Sequence, residues 1–328
     1  MPRRIPISSL SLATGALAAV LSVVAPLAAG QAYPTRPIKL IIPFAPGGSS
    51  EIVARTVAAK MSEGLGQQMI VESKPGGAGN IAMQEVAHAA PDGYTLIIGH
   101  IGSLAVNPFM FKNLPYDVNK DFTPISLLVK IPTIYVVNSG VPANNLKELA
   151  ALTRQREVFY GSAGNASAGH LAIEYLKLAM KVPLSHVPYK GTGPMLQDLL
   201  GARTDMSAAG VPPLIQHVKN GKLRAIATGS AQRIAAMPDL PTVAEQGYAG
   251  FETSQWYGMI GPANMPEAIV KRLAEEAAKA VHSKDVQEKF AADSAVVVGD
   301  TPQEFAAFIK QEQDRWQGII KAAGLKAD

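Results

Sequence analysis

The sequence contains no cysteine, so disulfides, thiol nucleophiles and cysteine-ligated metals are excluded. Its six histidines (His88, His100, His170, His186, His217, His282) never stand four apart or in an HExxH frame, and no metal or other cofactor is expected. Charge is scarce at 17% of residues, and the net +4 falls to +2 once Arg3 and Arg4 are set aside. Lysine and arginine are scattered rather than blocked, which removes the electrostatic footprint of a nucleic-acid partner. Long uncharged apolar runs are missing everywhere except near the N-terminus, so no later segment reads as a membrane helix. No P-loop is present, because Gly191-Thr192-Gly193 is not followed by the required lysine.

The N-terminal exception reads as a signal peptide. Arg3 and Arg4 make a positive start, and Leu10 to Leu27 is apolar and uncharged. Ala28-Ala29-Gly30-Gln31-Ala32 then supplies small residues at cleavage-compatible spacing. Cleavage after Gly30 or after Ala32 satisfies the rule; Tyr33 is the expected mature start, because a strand pattern begins soon after it. An uncleaved anchor is the alternative, but Ser8, Ser9, Ser11 and Thr14 thin the apolar run. Pro2 and Pro6 flank the arginine pair and fit twin-arginine export poorly. Export places the mature protein in the periplasm, as an expected monomer.

What is present is a chain of 328 residues, 48% hydrophobic, long enough for two domains with sizeable cores. From Ile38 short apolar runs alternate with helical patterns, the signature of βαβ units and parallel-rich α/β sheets. Expected strands are 38–44, 69–73, 94–100, 158–162, 185–189 and 223–228, with helices 49–65, 81–90, 146–154, 168–180, 194–200 and 213–219 between them. Two further helices, 267–282 and 302–323, flank a short strand at 295–298. Two extended stretches, 122–138 and 251–263, are longer than ordinary strands and read as crossings between domains. The expected division is 1–32 signal peptide, 33–136 plus 251–328 domain I, and 137–250 domain II. Two crossings make a hinge, and a hinged pair of α/β domains makes a cleft.

Two strand-end turns carry the candidate chemistry. In the first, a strand ends at Phe44, Pro46-Gly47-Gly48 turn the chain, and Ser49 or Ser50 is placed to cap a helix. Glycine permits close backbone approach, and a helix start offers free N–H groups, which together suit an anion. An ordinary βα turn with a serine cap fits this stretch equally well. The second, Gly161-Ser162-Ala163-Gly164-Asn165-Ala166-Ser167, repeats strand, Gly/Ser loop and helix start in the middle of the chain. One such turn in each domain suggests a pincer that grips an anion across the cleft.

Longer strings accompany these turns: Tyr33-Pro-Thr-Arg-Pro-Ile38, Pro43-Phe-Ala-Pro-Gly-Gly48, Asn107-Pro108, Leu114-Pro-Tyr-Asp117, Asp121-Phe-Thr-Pro124, Tyr160-Gly-Ser162, His170-Leu-Ala172, Val187-Pro-Tyr-Lys-Gly191, Gly221-Lys-Leu-Arg-Ala225 and Pro238-Asp-Leu-Pro-Thr242. In this order, over the whole mature chain, they resemble the substrate-binding proteins of tripartite tricarboxylate transporters, the Bug family. The resemblance implies a two-lobed, type II-like periplasmic binding fold, two parallel-rich sheets joined by two crossing strands with a ligand cleft between. It implies a non-enzymatic receptor that closes on a di-, tri- or aromatic carboxylate and delivers it to membrane transporter subunits. An exported sensor protein presenting its ligand to a sensor kinase needs the same hinge and cleft. Carried over by position, the ligand-binding residues are Ala45, Gly47, Gly48 and Ser49 in the first loop. Ser162, Ala163, Gly164, Asn165, Ala166 and Ser167 follow in the second. Water bridging would let such plain loops serve many ligands.

Several positions depart from the family pattern. Glu51 stands where aspartate is common, and Asn165 replaces a usual glycine. Ala209 lies where many members carry an aspartate, which argues against an amino-acid ligand and leaves room for a bulkier carboxylate. His100 stands where a small hydroxyl residue is usual and could donate to a ligand carboxylate, although a lone histidine at a strand end is more often structural. Trp256, Tyr257, Arg315 and Trp316 read as packing residues, Arg55 as half of a local ion pair, and Tyr189-Lys190 as a turn within reach of the cleft. Two enzymatic readings fail. Gly77-Ala-Gly79-Asn-Ile-Ala82 fits a dinucleotide fingerprint, but the next strand ends at Gly99-His100 without the acid that holds a ribose. Asn165-Ala-Ser167-Ala-Gly169 lacks the first glycine of a nucleophile elbow.

Overall fold

The computed structural model describes Met1 and residues 33–326, so the signal-peptide reading of 1–32 falls outside the described residues. Among these residues no helix is long and apolar enough to cross a membrane.

Apolar runs at β1 (Ile38–Ile42), β2 (Met69–Ser73) and β3 (Thr95–His100) pair in parallel, with β1 in the centre. Helices α1 (Ser49–Leu65) and α2 (Asn80–Ala87) cross between them on opposite faces. The sheet is extended by β4 (Phe122–Asn138), short helix α3 (Asn107–Met110) lying before it; β9, which is Ser254–Pro262, inserts antiparallel between β3 and β4.

β4 belongs to both sheets. Its first half pairs with β9 as far as Pro132, and from Thr133 it pairs with β7 (Met206–Gly210) and β8 (Leu223–Thr228) instead. The second sheet continues in parallel from β7 through β5 (Phe159–Ser162) to β6 (Ser185–Pro188). It is covered on one face by α4 (Leu146–Leu152) and α5 (Ala168–Met180), and on the other by α6 (Thr192–Leu200) and α7 (Val211–Lys219). The first sheet is completed by α8 (Glu267–His282), α9 (Lys284–Ala292), β10 (Val296–Val297) and α10 (Pro302–Ala323). The result is an α/β, two-lobed fold, each lobe a sheet with a core on either face.

Three elements lay outside the expected set, the four-residue α3 and, more consequentially, β7 and α9. β7 reads Met-Ser-Ala-Ala-Gly, with no β-branched residue, and forms because it is buried between β4 and β5. Its small side chains admit α5 so closely that a Cβ on Gly169 would stand 2.1 Å from the Ala208 carbonyl oxygen. α9 follows α8 after Ser283 alone and is held by Val286 and Phe290. The expected serine cap of α1 needs correction: the N-cap is Gly48 and no side chain caps it. Glu51 in the first turn instead holds the preceding loop, accepting from the Gly47 N–H at 2.8 Å and pairing with Arg55 at 2.7 Å.

Packing of α10 on β9 gives a sharp test. A Cβ on Gly258 would lie 2.1 Å from Phe305 Cζ, deep in the core. Alanine for glycine normally favours a strand by about 0.5–1 kcal/mol; overpacking costs about 1–3 kcal/mol and wins here. Gly258→Ala should therefore lower the urea midpoint, and Phe305→Leu in the same chain should restore part of the loss. An unchanged or raised midpoint would contradict this packing.

Candidate functional site

Both sheets direct the C-terminal ends of their parallel strands at the same seam. The first loop leaves β1 through Pro43 and Phe44, bends at Gly47 (φ 94°) and enters α1 from Gly48. The second leaves β5 at Ser162, bends at Gly164 (φ 122°) and Ala166 (φ 56°), and enters α5 from its N-cap Ser167, whose hydroxyl accepts from the His170 N–H. A third turn, Tyr189–Gly193 after β6, meets the first loop directly, the Ala45 N–H donating to the Lys190 carbonyl at 2.9 Å.

This contact needs glycine. A Cβ on Gly191 would lie 2.8 Å from the Ala45 nitrogen, and one on Gly193 would lie 2.3 Å from the Pro46 carbonyl oxygen. On the other side of the cleft, a Cβ on Gly102 would stand 2.2 Å from the Ala166 carbonyl oxygen. The lobes thus meet backbone to backbone.

Two chambers lie along the seam. The inner one, about 20 Å³, has walls of Phe44, Met195 and Tyr257 and a floor of Ala208 and Ala209, with Ser50, Ser167, Thr192, Gln255 and His100 as its polar groups. The outer one, about 330 Å³, runs between the Gly76–Gly79 turn, Phe111, Ala163–Asn165 and Pro188–Lys190. Phe44 and Ala163 line both, and no carboxylate lines either. A neutral, donor-rich space without acids suits an anion and repels none.

His100 is the most informative side chain. Its Nδ1 accepts from the Gly102 N–H at 3.0 Å, which places the remaining proton on Nε2. That Nε2 is buried without a hydrogen-bond partner among the described residues. Burial pushes its pKa down to about 3, so the ring is a neutral donor across the physiological range. The turn that fixes it, Gly102–Val106, is a single π-helical turn buried throughout.

A second histidine group stands behind the second loop. Tyr160, His186 and His170 stack, with centroids 4.7 Å and 4.3 Å apart along the series. His186 Nε2 lies 2.7 Å from the Ser162 hydroxyl, which also bonds to both backbone groups of Gly164. The Ala166 N–H donates to His170 Nδ1 at 3.2 Å. Burial pushes His170 down to about 4, and burial with the neighbouring His170 pushes His186 to about 3. The Ser162–His186 distance is that of a nucleophile and its base. Ser162 is nevertheless completely buried and lines neither chamber, so the pair shapes the loop.

The sequence-derived residues divide accordingly. His100, Ala163, Ser167 and Ala209 line the inner chamber, and Ala163, Gly164 and Asn165 the outer. Ala45, Gly47, Gly48 and Ala166 form the seam rather than the lining, Ser162 lies behind the loop, and Ser49 sits beside the Tyr257 hydroxyl. Tyr257, read as a packing residue, lines the inner chamber and donates to Gln255 at 2.7 Å. Ser50, Thr192, Met195 and Gln255 went unread. For Thr192 the signal was available, since Gly191-Thr-Gly193 is a third strand-end glycine turn. Gln255 and Tyr257 sit on an interior strand with no local mark of function.

The chain is similar to known proteins over most of its length. The family model described as tripartite tricarboxylate transporter family receptor matches residues 53–325. Protein BugT of Bordetella pertussis is 34% identical over 99% of both chains. A Rhodopseudomonas palustris protein solved with adipate is 34% identical, with a TM-score of 0.87 over 90% of this chain and 99% of that one. MatC from the same organism, solved with bound malate, is 32% identical, with a TM-score of 0.85 over 88% of this chain and 100% of that one.

The buried neutral histidines make stability depend on pH. A folded pKa near 3 for His100, against 6.5 in the unfolded chain, means that only the unfolded state takes up this proton in mild acid. Its stabilising effect is complete above pH 6.5 and is lost as pH falls toward 3, by about 2 kcal/mol per histidine between pH 6.5 and 5. Urea unfolding at pH 7 and pH 5 should show this decline, and His100→Gln should reduce its slope by about one proton. An unchanged slope would mean that His100 is charged in the fold.

Proposed function

We propose that this chain, which belongs to the receptor family of the tripartite tricarboxylate transporters, is a periplasmic receptor that closes on a small carboxylate for delivery to its membrane transporter. The family is one of solute receptors, not of enzymes. The observation that carries the carboxylate reading is the inner chamber. It lies where loops of both lobes meet, offers Ser50, Ser167, Thr192 and neutral His100 as donors, and is lined by no acid. An amino-acid ligand would need a carboxylate for its ammonium group, and Ala209 stands on the chamber floor instead. Relatives solved with adipate and malate support a dicarboxylate.

Hinge closure is part of the proposal. An inner chamber of about 20 Å³ holds little more than one water-sized group. A ligand therefore enters only when the loops part, and the Ala45–Lys190 contact forms again over it. In this reading 33–136 with 251–328 forms one lobe and 137–250 the other, supported by the change of partners along β4 at Pro132–Thr133. Export through the N-terminal signal places the receptor in the periplasm.

A thermal-shift screen of the chain from Tyr33 to Asp328 against mono-, di- and tricarboxylates tests the reading, with calorimetry on each hit. A ligand at a hundred times its Kd should stabilise the protein by about 2.7 kcal/mol. No shift across the panel would remove the carboxylate assignment. Gly48→Asp places an acid on the seam, where even a Cβ would lie 2.9 Å from Thr192 Oγ1. It should abolish binding while the melting temperature of the ligand-free protein stays within a few degrees. Retained affinity would defeat the two-loop pincer.

A further inference from the structure

Away from the cleft, α8 and the start of α10 enclose a groove that the receptor reading does not use. Its main part, about 400 Å³, has α8 on one side and residues 299–303 on the other. A second part, about 310 Å³, continues it past Glu267 and Pro302 to Pro124, Met265 and Ala306. Neither part shares a residue with the two cleft chambers.

The sequence of α8 sets both its floor and its rim. Val270, Ala274 and Ala278 stand four apart, share one face of the helix and line the floor. Alanine at two of these three positions keeps the space open. Glu267, Lys271 and Glu275 form the neighbouring row, exposed and without an ion-pair partner among the described residues. Over residues 267–278 the helix rises about 17 Å, three full turns.

Asp300, on the opposite wall, gives the groove its chemistry. Its Oδ1 accepts from the Leu127 N–H at 2.6 Å, and Ser126 Oγ donates to its carbonyl at 2.8 Å, where the register of β4 shifts. The carboxylate is thereby fixed, half-buried, at the groove. No lysine or arginine pairs with it among the described residues. Burial, and then Glu304, which caps α10 with Thr301, push its pKa up to about 6. Three acids, Glu267, Glu275 and Asp300, thus line the main part against one base, Lys271, on a chain of positive net charge. The groove is an apolar floor with a negative border, and its half-buried carboxylate lacks a cation.

We propose that this groove is a docking surface for a basic amphipathic helix of a partner protein. The apolar face of that helix lies along Val270, Ala274 and Ala278, and one of its lysines or arginines reaches Asp300. Rows of side chains four apart on α8 take the ridges of a second helix, and three turns give it a footing. Charge selects the partner: a basic segment completes Asp300 and the rim, whereas an anionic membrane or a nucleic acid is repelled. Because the groove is separate from the cleft, docking leaves ligand access untouched, and the inference stands independently of which ligand the cleft takes.

Titration of the isotope-labelled chain from Tyr33 to Asp328 with a synthetic leucine–lysine amphipathic helix tests it, read by amide NMR shifts and fluorescence anisotropy. The peptide should shift the amides of residues 267–278 and 299–303 and leave those of the cleft loops unmoved. Its leucine–glutamate counterpart should not bind. Asp300→Asn keeps an oxygen for the Leu127 N–H and should weaken the lysine peptide about tenfold, with little change in melting temperature. Two substitutions at exposed rim positions keep the test sound if that variant is unstable. Glu275→Lys should weaken the peptide about threefold, and Lys271→Glu should strengthen it by as much. Unchanged affinity in these variants, equal binding of both peptides, or shifts confined to other surfaces would overturn the proposal. Shifts of the same amides by anionic phosphatidylglycerol vesicles and not by the peptide would assign the groove to a membrane and overturn it too.

Discussion

β4 runs without a break through both sheets, and each sheet is completed on it by antiparallel neighbours, β9 and β10 at one end, β7 and β8 at the other. Its residues are almost all buried, so neither core can form without it. The strand tolerates its double role because its partners change at Pro132, and because register shifts at 124–126, 127–129 and 135–136 let it bend. Within it, Tyr135 donates to the Ala172 carbonyl at 3.1 Å and lies 3.1 Å from the Thr253 hydroxyl, tying the return crossing to the same strand. The two lobes therefore share one strand, with the return crossing tied to it.

The consequence appears at the far side of the seam, where contact is made by backbone. Side chains would hold the lobes apart at Gly191, Gly193 and Gly102, so closure there depends on what is missing. A site built in this way has few charges of its own. The polar groups it presents include some whose state is set by burial, above all His100, kept neutral by desolvation and kept in one tautomer by the Gly102 N–H. The same device is used behind the second loop. Uncharged, stacked His170 and His186 hold Ser162 and Ala166 in place without presenting a cation to the cleft. A loop of small residues gains its shape from the aromatic group beneath it.

Local pattern carried most of the architecture. Helices 49–65, 168–180, 267–282 and 302–323 and strands 69–73, 122–138 and 223–228 end where glycine, proline and apolar spacing place their ends. β7 was invisible because Met-Ser-Ala-Ala-Gly has the composition of a turn, and only neighbours on both sides make it a strand. The Gly/Ser loops of the site were legible, since strand, glycine turn and helix start follow one another in the chain. Gln255 and Tyr257 reach the same chamber from an interior strand, where nothing local distinguishes them from core.

The sequence by itself determined the class of fold, the two crossings, the loops that face the cleft and the family to which their order belongs. Each of these depends on spacing along the chain, which is local. Tertiary structure alone decided that Ser162 turns to His186 and away from the chambers, that Gly191 and Gly193 close on Ala45 and Pro46, and that the His100 Nε2 has no partner. Those are relations between segments tens or hundreds of residues apart. They are set by burial and close approach, and a linear pattern holds no record of either.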